Sequence, residues 1–224
     1  MSVPRTWAYD HPHPAIAADI MVLGYALDVG RLGVLLIERG EHPFKGAWAL
    51  PGGFLRPDET IEQCAQRELA EEAGVDTLVE LIGTFSDPGR DPRERVVSIA
   101  WFACVDHTAC RPRAGSDAAA TNWHLIDELP EMAFDHAEII KAGMERVRKL
   151  ARTGPIAGRL LPPSFTLTEL QHVQEALLGH PLDKRNFRRE VADAGWLENA
   201  GVQRRPKGRP SQVWHLASAA LHQT

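Results

Sequence analysis

Glu68, Glu71 and Glu72 stand three and four residues apart in the chain. At those spacings side chains share one face of a helix, so three carboxylates crowd together. Like charges stacked in this way repel, and a helix avoids the arrangement unless a cation sits against it. Hard divalent cations such as Mg²⁺ take oxygen ligands and share them with substrate phosphates. The cluster therefore predicts a metal–phosphate site.

The flanking residues agree. Thr60-Ile61-Glu62-Gln63 fits a capping box, which starts a helix near Ile61. Gly74 is placed to end it in a left-handed turn. Leu69 and Ala65 would face a core, and Arg67 could tether a carboxylate of the preceding loop, with Glu59 the nearest candidate. In Pro51-Gly52-Gly53 backbone amides can approach a phosphate closely, making Gly52 and Gly53 candidate substrate-binding positions.

From Gly53 to Val75 the chain reads Gly-x5-Glu-x7-Arg-Glu-Leu-x-Glu-Glu-x-Gly-Val. This resembles the signature of the Nudix hydrolases at all nine defined positions. Chance would give such a match in on the order of one window in a billion, which sets aside a merely solvated acidic helix. The resemblance implies an α/β/α sandwich that cleaves nucleoside diphosphates linked to another group, using Mg²⁺ or Mn²⁺. It implies Glu68, Glu71 and Glu72 as metal ligands, Arg67 as the residue that orients them, and Glu59 as support for the loop. WALPGGF, DPGRDPRERVVS and AFDH together resemble the ADP-ribose branch, with ADP-ribose or a related metabolite as substrate. Arg90 and Arg93, in the turn-rich loop before the strongest strand, could reach phosphates as delocalised cations. Many Nudix enzymes draw a further Glu from a distal loop. Here that loop, 111–120, offers Asp117 instead, the candidate for the remaining catalytic carboxylate.

Strands are expected over Ala17–Ala26, Leu32–Arg39, Thr77–Phe85, Val96–Asp106 and Thr121–Ile126, and a helix over Phe134–Ala151. Residues 152–164 carry Gly, Pro and Ser without periodicity and read as a linker between a domain at 1–151 and a second at 165–224. Charge divides similarly. Residues 1–150 hold 15 Lys and Arg against 24 Asp and Glu, a net of −9, while 151–224 hold 10 against 6, a net of +4. An acidic front and a basic tail point to partners of two kinds. Three cysteines without a close pair argue against a disulfide framework, and the histidines show no zinc spacing. The start lacks the pattern of a signal peptide, and the apolar run from Ala15 to Leu27 is short and broken by Asp19. A cytoplasmic protein without membrane contact is expected.

In the tail, apolar residues at 167, 170, 173, 177 and 178 mark a helix that Thr168 can cap and Gly179 ends. Asp183 is the expected cap of a second helix. There Phe187 and Val191 bury while Lys184, Arg185, Arg188 and Arg189 project outward. A helix, a short turn and a basic helix form the helix-turn-helix arrangement, in which Arg185 and Asn186 suit readout of base edges. Two short strands then flank a turn bearing Arg204, Arg205, Lys207 and Arg209, a basic wing for backbone or minor-groove contacts. FTLTELQ, LDKRNFRR and KGRPSQVWHL are similar to the C-terminal domain of the Nudix-related transcriptional regulators. That resemblance covers nearly the whole chain. It implies a Nudix α/β/α sandwich followed by a small winged helix-turn-helix domain, a homodimer on double-stranded operator DNA, and an ADP-ribose-responsive repressor of NAD metabolism. Many such regulators have a degraded signature and sense ligand without cleaving it, whereas this one is intact. Three readings stay open: a repressor that hydrolyses its ligand, a silent sensor, and a plain hydrolase whose tail only dimerises.

Overall fold

The computed structural model describes residues 9–110, 118–203 and 211–221. Seven strands form one sheet: β1 (Ala15–Ala26), β2 (Arg31–Arg39), β3 (Trp48–Ala49), β4 (Gly52–Phe54), β5 (Glu80–Phe85), β6 (Val96–Cys104) and β7 (Ala118–Leu125). The order is β3-β2-β1-β6-β5, with β7 on β2 and β4 on β1. β1 and β6 run parallel, and the other pairs are antiparallel. β1 and β2 pair only beside their hairpin turn, from Leu23↔Val34 to Ala26↔Arg31. Where they part, residues 48–54 take over, with Ala49 on Ile37 and Gly52 on Asp19. The Pro51-Gly52-Gly53 segment is thereby stitched into the sheet.

Strand alternation builds two cores. Ala18, Ile20 and Val22 face the cluster that holds Cys64, Ala65 and Leu69 of the acidic segment. Met21, Leu23 and Tyr25 face the other way, onto Ile139, Ile140, Met144 and Val147 of α2 (His136–Ala151). A helix on each face gives the α/β/α sandwich that the resemblance implied. Helix α2 begins at His136 rather than Phe134. Phe134 has φ 54° and Asp135 is the cap, so the helix cannot extend further back.

Residues 152–164 are more ordered than their composition suggested. Pro155 leads into a 3₁₀ turn, Ile156–Leu160, in which Ile156, Ala157 and Leu160 are buried, as is Leu161 after it. Gly and Pro punctuate this segment, but its apolar residues fill the space between the sheet and the tail. Helices α3 (Leu167–Leu178) and α4 (Lys184–Ala194) and the antiparallel pair β8 (Leu197–Gln203) and β9 (Ser211–Leu216) follow, with a last short turn of helix at Ser218–Leu221. Helix α3 is capped by Thr166, not Thr168. Both are followed three residues later by Glu or Gln, so the sequence allows either. Phe165 decides: it exchanges two backbone hydrogen bonds with Trp214 of β9, at 2.9 and 2.8 Å, and the helix starts directly after that bridge.

One apolar cluster runs from Met21, Leu36 and Phe102 through Ile156, Leu160 and Phe165 to Leu170, Val173, Leu177, Phe187 and Val191. The sheet and the helical tail thus share a core. Polar ties reinforce it: Arg148 Nε donates to the Leu177 carbonyl at 3.2 Å, and Arg159 pairs with Glu80 across the junction. Cys64, Cys104 and Cys110 form no disulfide and are buried. Among the described residues no helix is long and apolar enough to cross a membrane. Leu160→Ala should cost about 2–5 kcal/mol. Because the core is shared, both halves should melt in one transition at lower temperature, readable by near-UV circular dichroism.

Candidate active site

The acidic segment begins as read. Thr60 Oγ1 accepts from the Gln63 amide at 3.3 Å, and Gln63 Oε1 accepts from the Thr60 amide at 2.8 Å, closing the capping box of α1 (Ile61–Glu68). The regular helix stops earlier than expected. Leu69–Ala73 winds as a π turn and ends at Gly74 with φ 66°. A π turn holds about one extra residue and is found mostly at functional positions. Glu71 and Glu72 lie within it, and Glu68 directly precedes it.

Two of the three carboxylates share Arg67, and the third is held by a backbone amide. Arg67 is the hub. Its Nε and Nη2 grip Glu59 at 2.9 and 2.7 Å, while Nη1 reaches Glu68 at 2.5 Å and Glu71 at 3.3 Å. The Gly52 amide donates to Glu72 Oε2 at 3.0 Å. Arg56 stands 3.8 Å from Glu71. Glu59 also accepts from the Arg56 amide at 2.9 Å, so it braces the loop as well as Arg67. Hydrogen bonding from Arg67 holds the Glu59 carboxyl down to about 2, against an ordinary 4.5. Burial pushes the Cys64 thiol up to about 12, which leaves it protonated and inert at neutral pH.

Opposite the glutamates, Gly52 and Gly53 come too close for any side chain. A Cβ on Gly53 would lie 2.0 Å from Glu68 Oε1, and one on Gly52 would lie 2.3 Å from the Ala18 carbonyl. Together with the π turn they wall a cleft of about 440 Å³, which Arg67, Arg90, Arg93 and Phe134 also line. Glu68, Glu71 and Glu72 bring carboxylate oxygens to it, and the Gly52 amide beside them donates to Glu72. Among the described residues no three His, Cys, Asp or Glu side chains are already gathered as a metal cage.

Arg90 and Arg93 line the cleft, but both guanidinium groups are committed within the protein. Arg90 is buried, donating twice to Asp135 at 2.9 and 2.6 Å and once to Asp19 at 3.2 Å. Arg93 is clamped by Asp91 at 3.0 and 2.7 Å and lies near the rings of Phe54 and Phe134. The expected reach to phosphate is opposed by these carboxylates, above all for Arg90. Asp117 lies outside the described residues. No site role was expected for Asp19, or for Asp135 and His136 within the AFDH segment. Asp19 had a visible signal, a charge inside an otherwise apolar strand, and it is buried with the Ser98 hydroxyl donating to it at 2.5 Å.

A second surface lies on the tail. Asp183 caps α4, accepting from the Asn186 amide at 2.8 Å. Phe187 and Val191 are buried, while Lys184, Arg185, Asn186, Arg188 and Arg189 are all exposed. The turn before α4 is fixed from α3. Glu175 Oε1 accepts from the Leu182 amide at 2.9 Å and from Gln171 Nε2 at 2.9 Å. Arg204, Arg205, Lys207 and Arg209 lie outside the described residues.

Comparison with known proteins agrees with both surfaces. Residues 15–143 match the NUDIX domain, and residues 157–216 match the NrtR DNA-binding winged helix domain. The chain belongs to the Nudix family. Within it, the chain has the two-part architecture of the NrtR regulators. It is 33% identical over 213 residues to the ADPR responsive transcriptional repressor NtrR of Acinetobacter baylyi, covering 93% of this chain and 84% of that protein. The crystal structure of Shewanella oneidensis NrtR complexed with a 27mer DNA superposes with a TM-score of 0.82 at 34% identity, covering 92% of this chain and 95% of that one. An ADP-ribose pyrophosphatase of Methanocaldococcus jannaschii is 41% identical over 130 residues, 58% of this chain and 72% of that protein.

Two outcomes follow from the geometry. Gly53→Ala should push Glu68 aside and weaken Mn²⁺ binding by about 10–100-fold in calorimetric titration, with the far-UV spectrum unchanged. The lowered Glu59 value means that its stabilising contribution is present above pH 4.5 and lost as pH falls through about 2. The stability gap between wild type and Glu59→Gln, measured by urea unfolding, should be widest above pH 4.5 and close towards pH 2.

Proposed function

We propose that this chain is an ADP-ribose-responsive transcriptional repressor whose Nudix domain, residues 1–151, binds and hydrolyses the nucleotide, and whose winged helix, residues 165–224, binds operator DNA. One observation carries the reading: an acidic phosphate-type cleft and an exposed basic recognition helix are built on a single core in one chain. The A. baylyi repressor and the M. jannaschii pyrophosphatase, each matched over most of its length, support the ligand class.

Nudix hydrolases use divalent metal ions, and the residues here fit one. Glu68, Glu71 and Glu72 are hard oxygen donors facing glycine amides, so Mg²⁺ or Mn²⁺ would be held by them and by substrate phosphates. Bound there, the ion would supply charge neutralisation for the diphosphate and a water of lowered pKa. The protein's own part is orientation. Arg67 fixes the Glu59 and Glu68 carboxylates, the Gly52 amide fixes Glu72, and the side-chain-free Gly53 lets Glu68 approach.

At the other end, Arg185 and Asn186 are offered to base edges, and Lys184, Arg188 and Arg189 to phosphates. A homodimer would present two copies of α4 to successive half-sites. Coupling between the sites is reciprocal, so DNA should weaken ADP-ribose binding by the same factor that ADP-ribose weakens DNA binding.

The test uses two variants. With ADP-ribose and Mg²⁺, wild type should release AMP and ribose 5-phosphate. Glu72→Gln should lower turnover by about 100-fold or more and still bind a duplex selected in vitro for the wild-type protein. Arg188→Ala with Arg189→Ala should keep turnover and lower the salt slope of duplex binding by about two. Wild-type binding of ADP-ribose without turnover would instead mark a sensor. Turnover without salt-sensitive duplex binding would mark a plain hydrolase.

A further inference from the structure

His136 does not belong to the acidic cluster, yet it is tied to the cleft's glycine loop from behind. It is the first residue of α2 and is buried. Its Nδ1 accepts from the Leu50 amide at 2.9 Å, directly before Pro51-Gly52-Gly53. An imidazole that accepts at Nδ1 carries its proton on Nε2. Nε2 faces Asp19 Oδ1 at 3.5 Å, an electrostatic contact longer than a full hydrogen bond. Burial lowers the His136 pKa, in keeping with the neutral ring that this arrangement needs.

The contact is anchored on both sides. Asp19 Oδ2 is held by Ser98 and Arg90, and Arg90 by Asp135. Asp135 is the cap position of α2, where an aspartate would ordinarily accept from a helix amide, but it makes no such bond. That local cap is forgone in favour of Arg90. The loop, meanwhile, is gripped at successive residues. The Leu50 amide goes to His136, the Ile20 amide donates to the Pro51 carbonyl at 2.8 Å, and the Gly52 amide goes to Glu72. Glu72 belongs to the helical layer on one face of the sheet and His136 to the helix on the other, so the loop is held from both sides.

We propose that His136 is a positioning residue for the nucleotide site: it sets the depth of the Leu50–Gly53 segment, and through the Gly52 amide and the Gly53 backbone it sets where Glu72 and Glu68 stand. The proposal rests on the cleft being the metal–diphosphate site.

Asparagine and glutamine separate this from a space-filling role. In His136→Asn the side-chain amide oxygen can occupy the place of Nδ1 and accept from Leu50, whereas in His136→Gln the amide reaches the place of Nε2. His136→Asn should keep the Mn²⁺ dissociation constant and kcat for ADP-ribose within about threefold of wild type. His136→Gln should weaken Mn²⁺ binding and lower kcat by about 10–100-fold each, with KM for ADP-ribose nearly unchanged. Both variants are polar and of similar bulk, and thermal melts check that each is folded. Equal loss in both variants, or Mn²⁺ binding by His136→Gln equal to wild type, would overturn the assignment. If wild type neither binds nor cleaves ADP-ribose, the functional reading fails instead, and the Mn²⁺ titrations still decide the role of His136.

Discussion

The tightest constraint in the molecule is the approach of Gly52 and Gly53 to their neighbours. Gly52 lies against the backbone of β1, and Gly53 lies against the Glu68 carboxylate, with no room for a methyl group at either. This contact joins the sheet to the π turn. It lets β4 pair with β1, brings an amide to Glu72 and leaves Glu68 buried beside Arg67. The acidic face tolerates its own repulsion because each carboxylate accepts from a donor, Glu68 and Glu71 from Arg67 and Glu72 from the Gly52 amide. Arg67 supplies most of that compensation, holding Glu59, Glu68 and Glu71 in a single fork.

The second organising fact is the continuity of the core. Helix α2 starts at the back of the cleft, where His136 and Asp135 meet the Asp19–Arg90 cluster. Its last turns lie against α3, where Arg148 donates to the Leu177 carbonyl and Ala151 accepts from Gln174. Helix α3 in turn holds the turn before α4 through Glu175 and Gln171. Helix α2 therefore links the back of the cleft to α3, and α3 fixes the turn that leads into α4.

Much of this was legible in the sequence wherever the cause is local. The capping box at Thr60, the left-handed stops at Gly74 and Gly179, and the Asp183 cap depend on neighbours a few residues away. The Glu59–Arg67 tether spans eight residues, and Glu59 as the nearest loop carboxylate to Arg67 was readable from the residues themselves. What could not be read depends on distant partners. Arg90 meets Asp19 across 71 positions, and His136 meets Leu50 across 86. No spacing rule connects such pairs, so the sequence showed Arg90 only as a loop cation and His136 only as part of the AFDH segment. The π turn and the start of α3 at Thr166 are also tertiary outcomes. The first accompanies the placement of Glu71 and Glu72, and the second is set by the Phe165–Trp214 bridge. The buried turn at Ile156–Leu160 was hidden by its Gly and Pro, which mark a bend but do not tell whether the bend is covered.

The cysteines have a further bearing. All three thiols are buried and outside any disulfide, and burial holds Cys64 and Cys104 protonated with values of about 12. Oxidants and alkylating reagents attack thiolates, so the folded chain offers them almost nothing. The same shielding makes each sulfur a silent reporter: Cys64 behind the acidic helix and Cys104 beside the Arg159–Glu80 junction would become labelled only when their own layer opens, so that the order of labelling would trace how the molecule comes apart.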